Sequence, residues 1–123
     1  MPKILVVEDD PFFRKLYERL FALKGIQVDL AGEGTEGIQK AKTVNPGLIL
    51  LDIMMPGISG LDVLKTLKED PSTKSIPVVM LTNLGDDAAI EKATKLGADG
   101  YFVKSNTQPE QLLEDVSKFI KTS

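Results

Sequence analysis

Hydrophobic residues along this chain keep two rhythms that alternate. One is a set of short, unbroken apolar runs: Ile4-Leu5-Val6-Val7, Leu48-Ile49-Leu50-Leu51, Val78-Val79-Met80-Leu81 and Tyr101-Phe102-Val103. The other is a three-four spacing over the longer stretches between them. Continuous runs of about four residues suit strands buried on both faces, and the three-four spacing suits amphipathic helices. The first strand is predicted over 4–7. Asp10 followed by Pro11 then starts a helix with Phe13, Leu16, Leu20 and Leu23 on one face, stopped at Gly25. Ile26, Val28 and Leu30 alternate with polar residues, as an edge strand would. Ile38 and Ala41 mark a weaker helix, because Gly32, Gly34 and Gly37 lower its propensity.

The second half repeats the alternation. Residues 47–51 form the most apolar strand and are expected at the sheet centre. Pro56-Gly57 turns the chain, and Ser59 with Asp62 resembles a capping box opening a helix with Leu61, Leu64 and Leu67 inward. Asp70-Pro71 ends it. A strand over 76–81 leads to a helix lined by Ala89, Ile90, Ala93 and Leu96 and closed at Gly97. A strand over 98–103 precedes a last helix, opened by Thr107 and Glu110, with Leu112, Leu113, Val116, Phe119 and Ile120 as its core stripe. Five β-α units with right-handed crossovers predict one domain over 1–123, a doubly wound parallel sheet with helices on both faces. A dinucleotide fold would want a glycine fingerprint after the first strand, and Glu8-Asp9-Asp10 stands there instead.

Composition narrows the chemistry. The 123 residues carry a net charge of −3 with a pI near 5.0, a poor match to direct nucleic-acid binding. Cysteine and histidine are both absent, which removes thiolate sites, imidazole bases and serine-histidine triads. Carboxylates, hydroxyls and lysine remain. No apolar run approaches a membrane span and Met1-Pro2-Lys3 does not open a secretory signal, so a cytoplasmic protein is expected.

The apolar runs end in polar residues: Glu8, Asp9 and Asp10 after the first, Asp52 after the second, Thr82 and Asn83 after the third, Lys104 and Ser105 after the fourth. In open parallel sheets the ligand crevice lies beyond the carboxyl ends of the strands, so these residues share one crevice. Like charges about 4 Å apart repel by about 4 kcal/mol at an effective dielectric of about 20, so Glu8, Asp9 and Asp52 call for a cation or a shared proton. Oxygen-only ligands favour magnesium, calcium or manganese over zinc or copper, and a shallow crevice suits magnesium, with manganese possible, better than a full calcium cage. Asp10 reads mainly as the helix cap. Asp52 can attack phosphorus as a carboxylate nucleophile, with Lys104 and Thr82 to stabilise phosphoryl oxygens.

The segments ILVVEDD, LILLDIMMPGISGLDVL, IPVVMLTN and LGADGYFVKS together resemble the receiver domain of two-component response regulators, along the whole chain. The resemblance implies a flavodoxin-like fold of strand order 2-1-3-4-5. It implies Asp52 as phosphoacceptor, Asp9 as direct metal ligand, Glu8 holding metal-bound water, and the main-chain carbonyl of Met54 completing a magnesium site. Thr82 and Lys104 become phosphate contacts, and Thr82 and Tyr101 the switch pair. A histidine kinase or histidine phosphotransfer protein would be the donor. A protein target would read the surface of the fourth helix, fifth strand and fifth helix, the receiver being a stand-alone monomer or a weak, phosphorylation-linked dimer.

Four positions depart from the family's usual pattern. Glu8 replaces aspartate, Asn83 stands in place of alanine or glycine, Leu84 is apolar, and Ser105 replaces proline. A cis peptide costs about 0.5–1 kcal/mol before proline but about 2.5–4 kcal/mol before serine, so Lys104–Ser105 is expected trans. With Met54 and Leu84 unable to orient water and Asn83 adding bulk, slow self-dephosphorylation is expected. A receiver-fold adaptor that is never phosphorylated is the main rival, disfavoured by the complete set of acids, hydroxyl and lysine. A flavin mononucleotide carrier would need a phosphate cradle where Glu8-Asp9-Asp10 stands. A haloacid-dehalogenase-type phosphatase would need an aspartate where Met54 stands.

Overall fold

The computed structural model describes residues 3–83, 86–105 and 108–119. The chain alternates β1 (Lys3–Val7), α1 (Pro11–Ala22), β2 (Gln27–Ala31), α2 (Gly34–Val44), β3 (Leu48–Asp52), α3 (Gly60–Glu69), β4 (Val78–Thr82), α4 (Asp87–Lys95), β5 (Gly100–Val103) and α5 (Pro109–Phe119). All strands pair in parallel in the order β2-β1-β3-β4-β5, the flavodoxin-like arrangement. Strand side chains alternate between two cores, as a two-residue period requires. Leu5, Val7, Ile49, Leu51, Val78 and Met80 pack against α2, α3 and α4. Ile4, Val6, Leu48, Leu50, Val79 and Leu81 pack against α1 and α5. Burial on both faces is why β1, β3 and β4 read as unbroken apolar runs. No helix among the described residues is long and apolar enough to cross a membrane.

Three details differ from expectation or refine it. The inner face of α1 is Phe13, Tyr17 and Phe21, spaced by four; Leu16 and Leu20 flank it, and Leu23 is 81% exposed. Leu23 is the residue that caps α1, so it falls beyond the last turn that could carry it inward. The glycines of α2 are packing residues. A Cβ on Gly37 would lie 2.8 Å from Val7 Cγ2 and one on Gly34 would meet Ile58 and Val63, so small residues let α2 approach β1 and the start of α3 closely. The strand predicted over 98–103 begins at Gly100, because Asp99 instead closes onto Val78 through its backbone N–H (2.8 Å to Val78 O). The expected cap Thr107 and the terminal Ile120 lie outside the described residues.

Candidate functional site

Parallel register brings the strand ends into one row. Val7 pairs with Leu51, Asp52 with Leu81, and Thr82 with Val103, so the residues that follow or finish β1, β3, β4 and β5 emerge together. The turn after β1 is held from both sides. Asp10 caps α1, its side chain accepting from Phe12 N at 2.9 Å. Arg14, from the first turn of α1, donates to the carbonyl oxygens of Glu8 (2.9 Å) and Asp9 (3.0 Å). The main chain of the acidic turn is thereby fixed while the carboxylates of Glu8 and Asp9 are left for other partners. Beneath β3, α3 closes onto the strand end: Gly60 N donates to Ile53 O at 2.8 Å, and a Cβ there would lie 2.0 Å from Asp52 O. Only glycine permits that approach.

Glu8 and Asp52 are buried, Asp9 is half-buried, and each offers an oxygen within 4.8 Å of the others. Lys104 reaches into this group from the end of β5. Its ammonium lies 2.5 Å from Glu8 Oε1 and donates to Asp52 Oδ2 at 3.3 Å. Asp52 Oδ1 accepts from Met54 N at 3.3 Å. Glu8 Oε1 is met by that ammonium as a close ion pair, and among the described residues no other N–H or O–H group serves it. Burial, then contact with Asp52, pushes the Glu8 carboxyl from its ordinary 4.5 up to about 8 against the pull of Lys104. Burial pulls the Lys104 ammonium down, but Glu8 and Asp52 outweigh it and the net shift is upward. Tyr17, behind the cluster, has its phenol raised by burial and by the charges of Glu8 and Asp52.

This donor set fits a hard divalent cation. It is all oxygen, three carboxylates converge, and a single ammonium is shared between the two that are buried. The remaining residues singled out by sequence are placed as follows. Thr82 is buried at the end of β4, its hydroxyl donating to Asn83 O at 3.3 Å. Asn83 and the Met54 side chain are exposed at the mouth. Tyr101 is 51% exposed on the edge strand, in register with Met80. Leu84 lies outside the described residues. No peptide bond among the described residues is cis, so Lys104–Ser105 is trans. Sequence reasoning assigned no role at the site to Arg14, Phe13 or Gly60. An arginine one turn into a helix that follows an acidic strand end was the available signal for the first.

Comparison with known proteins bears on the same surface. Residues 4–117 match the model of the response regulator receiver domain. The chain belongs to that family. This receiver is 34% identical over 110 residues to the phosphate regulon transcriptional regulatory protein PhoB of Rhizobium meliloti, covering 89% of the chain and 48% of that protein. It is 37% identical over 111 residues to the transcriptional regulatory protein ResD of Bacillus subtilis, covering 90% and 45%. The chain thus spans about half the length of the curated relatives it matches. Among solved structures, the chemotaxis protein CheY4 of Vibrio cholerae superposes with a TM-score of 0.89 at 28% identity, over 97% of this chain and 98% of that one. The protein is therefore a receiver domain of the two-component response regulators, which histidine kinases phosphorylate, and such domains generally bind magnesium.

Proposed function

We propose that this receiver takes a phosphoryl group from a histidine kinase or histidine phosphotransfer protein onto Asp52 and converts it into a change of surface. The observation that carries the reading is the convergence of Glu8, Asp9 and Asp52 within 4.8 Å, with Lys104 bridging Glu8 and Asp52. Asp9, Asp52, the Met54 main-chain carbonyl and, through water, Glu8 would hold magnesium, with manganese as a substitute. The ion supplies charge neutralisation for the phosphoryl oxygens. An Asp52 oxygen attacks phosphorus, a P–O bond forms as the P–N bond of the phosphohistidine breaks, and the leaving imidazole takes up a proton. Lys104 follows the new negative charge, and Thr82 turns its hydroxyl from Asn83 O to a phosphoryl oxygen. Space vacated beside Thr82 lets Tyr101 leave its exposed position, altering the α4-β5-α5 face that a protein target reads.

Incubation with magnesium and acetyl phosphate should add one phosphoryl mass to the parent and none to Asp52→Asn, and chelator should suppress the addition. Modification of Asp52→Asn, or labelling indifferent to chelator, would overturn the assignment. Dephosphorylation requires water in line with the P–O bond to Asp52. With the apolar Met54 and the bulky Asn83 exposed at the mouth, and Leu84 apolar in the sequence, the phosphorylated state is expected to last minutes to hours, each ~1.4 kcal/mol of lost stabilisation slowing hydrolysis about tenfold. Acid-labile phosphate, followed after donor removal, should decay faster in Met54→Asn with Leu84→Glu than in the parent. Decay of the parent within seconds would show that these side chains do not shield the group.

A further inference from the structure

Lys104 is held on three sides, and only two of them are carboxylates. The third is the ring of Phe13, whose centroid lies 4.4 Å from the ammonium nitrogen. That ring is itself oriented by neighbours. Phe12 meets it edge-on at 5.3 Å and 83°, and Tyr17 lies nearly parallel at 6.0 Å and 26°. Tyr17 is buried, so the stack is anchored in the core beneath α1. Phe13, Tyr17, Phe102 and Lys104 also share the wall of a cavity of only about 30 Å³, which gives the lysine stem little room to swing back. The Lys104 side chain is accordingly 9% exposed.

A ring face attracts a cation without offering it a lone pair. It can steady an ammonium and still leave all three N–H groups for oxygens. A polar side chain in that place would compete for one of them, and an aliphatic one would fill volume without attracting charge. We propose that Phe13 is a positioning residue for phosphoryl transfer to Asp52, acting through Lys104, whose ammonium its ring face holds toward the carboxylates. The proposal rests on the reading of Asp52 as phosphoacceptor. It goes beyond that reading by assigning a role to a residue of α1 whose spacing alone marks it as core.

The test compares the parent with Phe13→Leu, Phe13→Tyr, Lys104→Met and the double variant Phe13→Leu/Lys104→Met, all with magnesium and acetyl phosphate. Phe13→Leu keeps most of the apolar bulk and loses the ring face; its phosphorylation should slow roughly three- to thirtyfold, the range from an exposed to a desolvated cation–π contact. Phe13→Tyr should restore the parent rate. Adding Phe13→Leu to Lys104→Met should change nothing further, since no ammonium remains to be held. Independently of any donor, proton NMR should find the Lys104 ε-methylene shifted upfield by the ring in the parent and in Phe13→Tyr, and unshifted in Phe13→Leu. A Phe13→Leu protein phosphorylating at the parent rate, or an equal loss in the Lys104→Met background, overturns the proposal alone. A parent that accepts no phosphoryl group overturns the phosphoacceptor reading and the proposal with it.

Discussion

The two ends of the sheet each carry a lysine against an aspartate, and the two pairs live in opposite conditions. Near the amino ends of β4 and β5, Lys68 sits 3.5 Å from Asp99 and donates to the carbonyls of Lys74 (3.2 Å) and Ile76 (3.0 Å). Asp99 in turn accepts from Val78 N at 2.8 Å, and its side chain is 40% exposed. Charge there is spread over backbone partners and water. At the carboxyl ends, one ammonium, that of Lys104, is shared between two buried carboxylates. A wet, satisfied pair is worth about 0–1 kcal/mol and does little beyond fixing a turn. A dry group of two acids on one ammonium leaves demand for positive charge unmet, and that demand is what a cation or a phosphoryl group can exploit. Identical chemistry therefore reads as scaffold at one end and as a site at the other.

The largest expected contrast is kinetic. Lys104→Met should slow phosphorylation of Asp52 by about a hundredfold, the usual cost of removing one charge-stabilising donor from a preorganised site. Lys68→Met should leave the rate unchanged. Single-turnover mass spectrometry with acetyl phosphate measures both. Equal losses at the two lysines would break the contrast between the ends.

Next comes pH. In the metal-free folded chain Glu8 keeps its proton up to about pH 8, against an ordinary 4.5. Between those values the folded state holds the extra proton, so stability falls as pH rises through that window. The upward shift of Lys104 acts near and above its ordinary 10.5 and leaves this window alone. Urea unfolding in chelator should therefore show the parent less stable at pH 8 than at pH 5.5, and Glu8→Gln nearly flat over the same range. A parent whose stability rises with pH there would mean that Glu8 is no more starved of charge than Asp99. Magnesium should reverse the trend, since a cation held by these carboxylates would stabilise the folded chain most where they are unprotonated.

Much of this arrangement was legible in the sequence because burial on both faces leaves an unambiguous trace. Ile4–Val7, Leu48–Leu51 and Val78–Leu81 could be little else than interior strands, and the polar residues after them were thereby aligned. Membership of the sheet also explained why Asp52 stood at the end of an apolar run. Legibility failed where one residue serves two neighbours. Phe13 has the spacing of a core position and does touch the core, yet its ring also lies over Lys104, ninety-one positions later. Arg14 carries no signal in the hydrophobic pattern, yet it clamps the carbonyls of Glu8 and Asp9. Gly34 and Gly37 weakened the prediction of α2 for the very reason that they let it pack. In each case the deciding contact is long-range or involves main-chain atoms, and neither leaves a periodic signature.

The smallest effect belongs to the amino end and tests whether the two ends are independent. Asp99 holds the first N–H of β4 and turns the chain into β5. Asp99→Ala deprives Val78 N of its acceptor, a loss of about 1 kcal/mol. Asp99→Asn keeps an acceptor oxygen and removes only the charge facing Lys68, so most of that loss should return. Neither substitution should alter the phosphorylation rate or the stabilisation by magnesium, because Asp99 sits at the start of β4 and β5 and Asp52 at the opposite end of the strands. Thermal melts with and without magnesium, paired with the acetyl phosphate assay, read both quantities. If Asp99→Ala slowed phosphorylation at unchanged folded population, β4 would be carrying strain from one end of the sheet to Thr82 at the other. The satisfied pair would then be part of the switch.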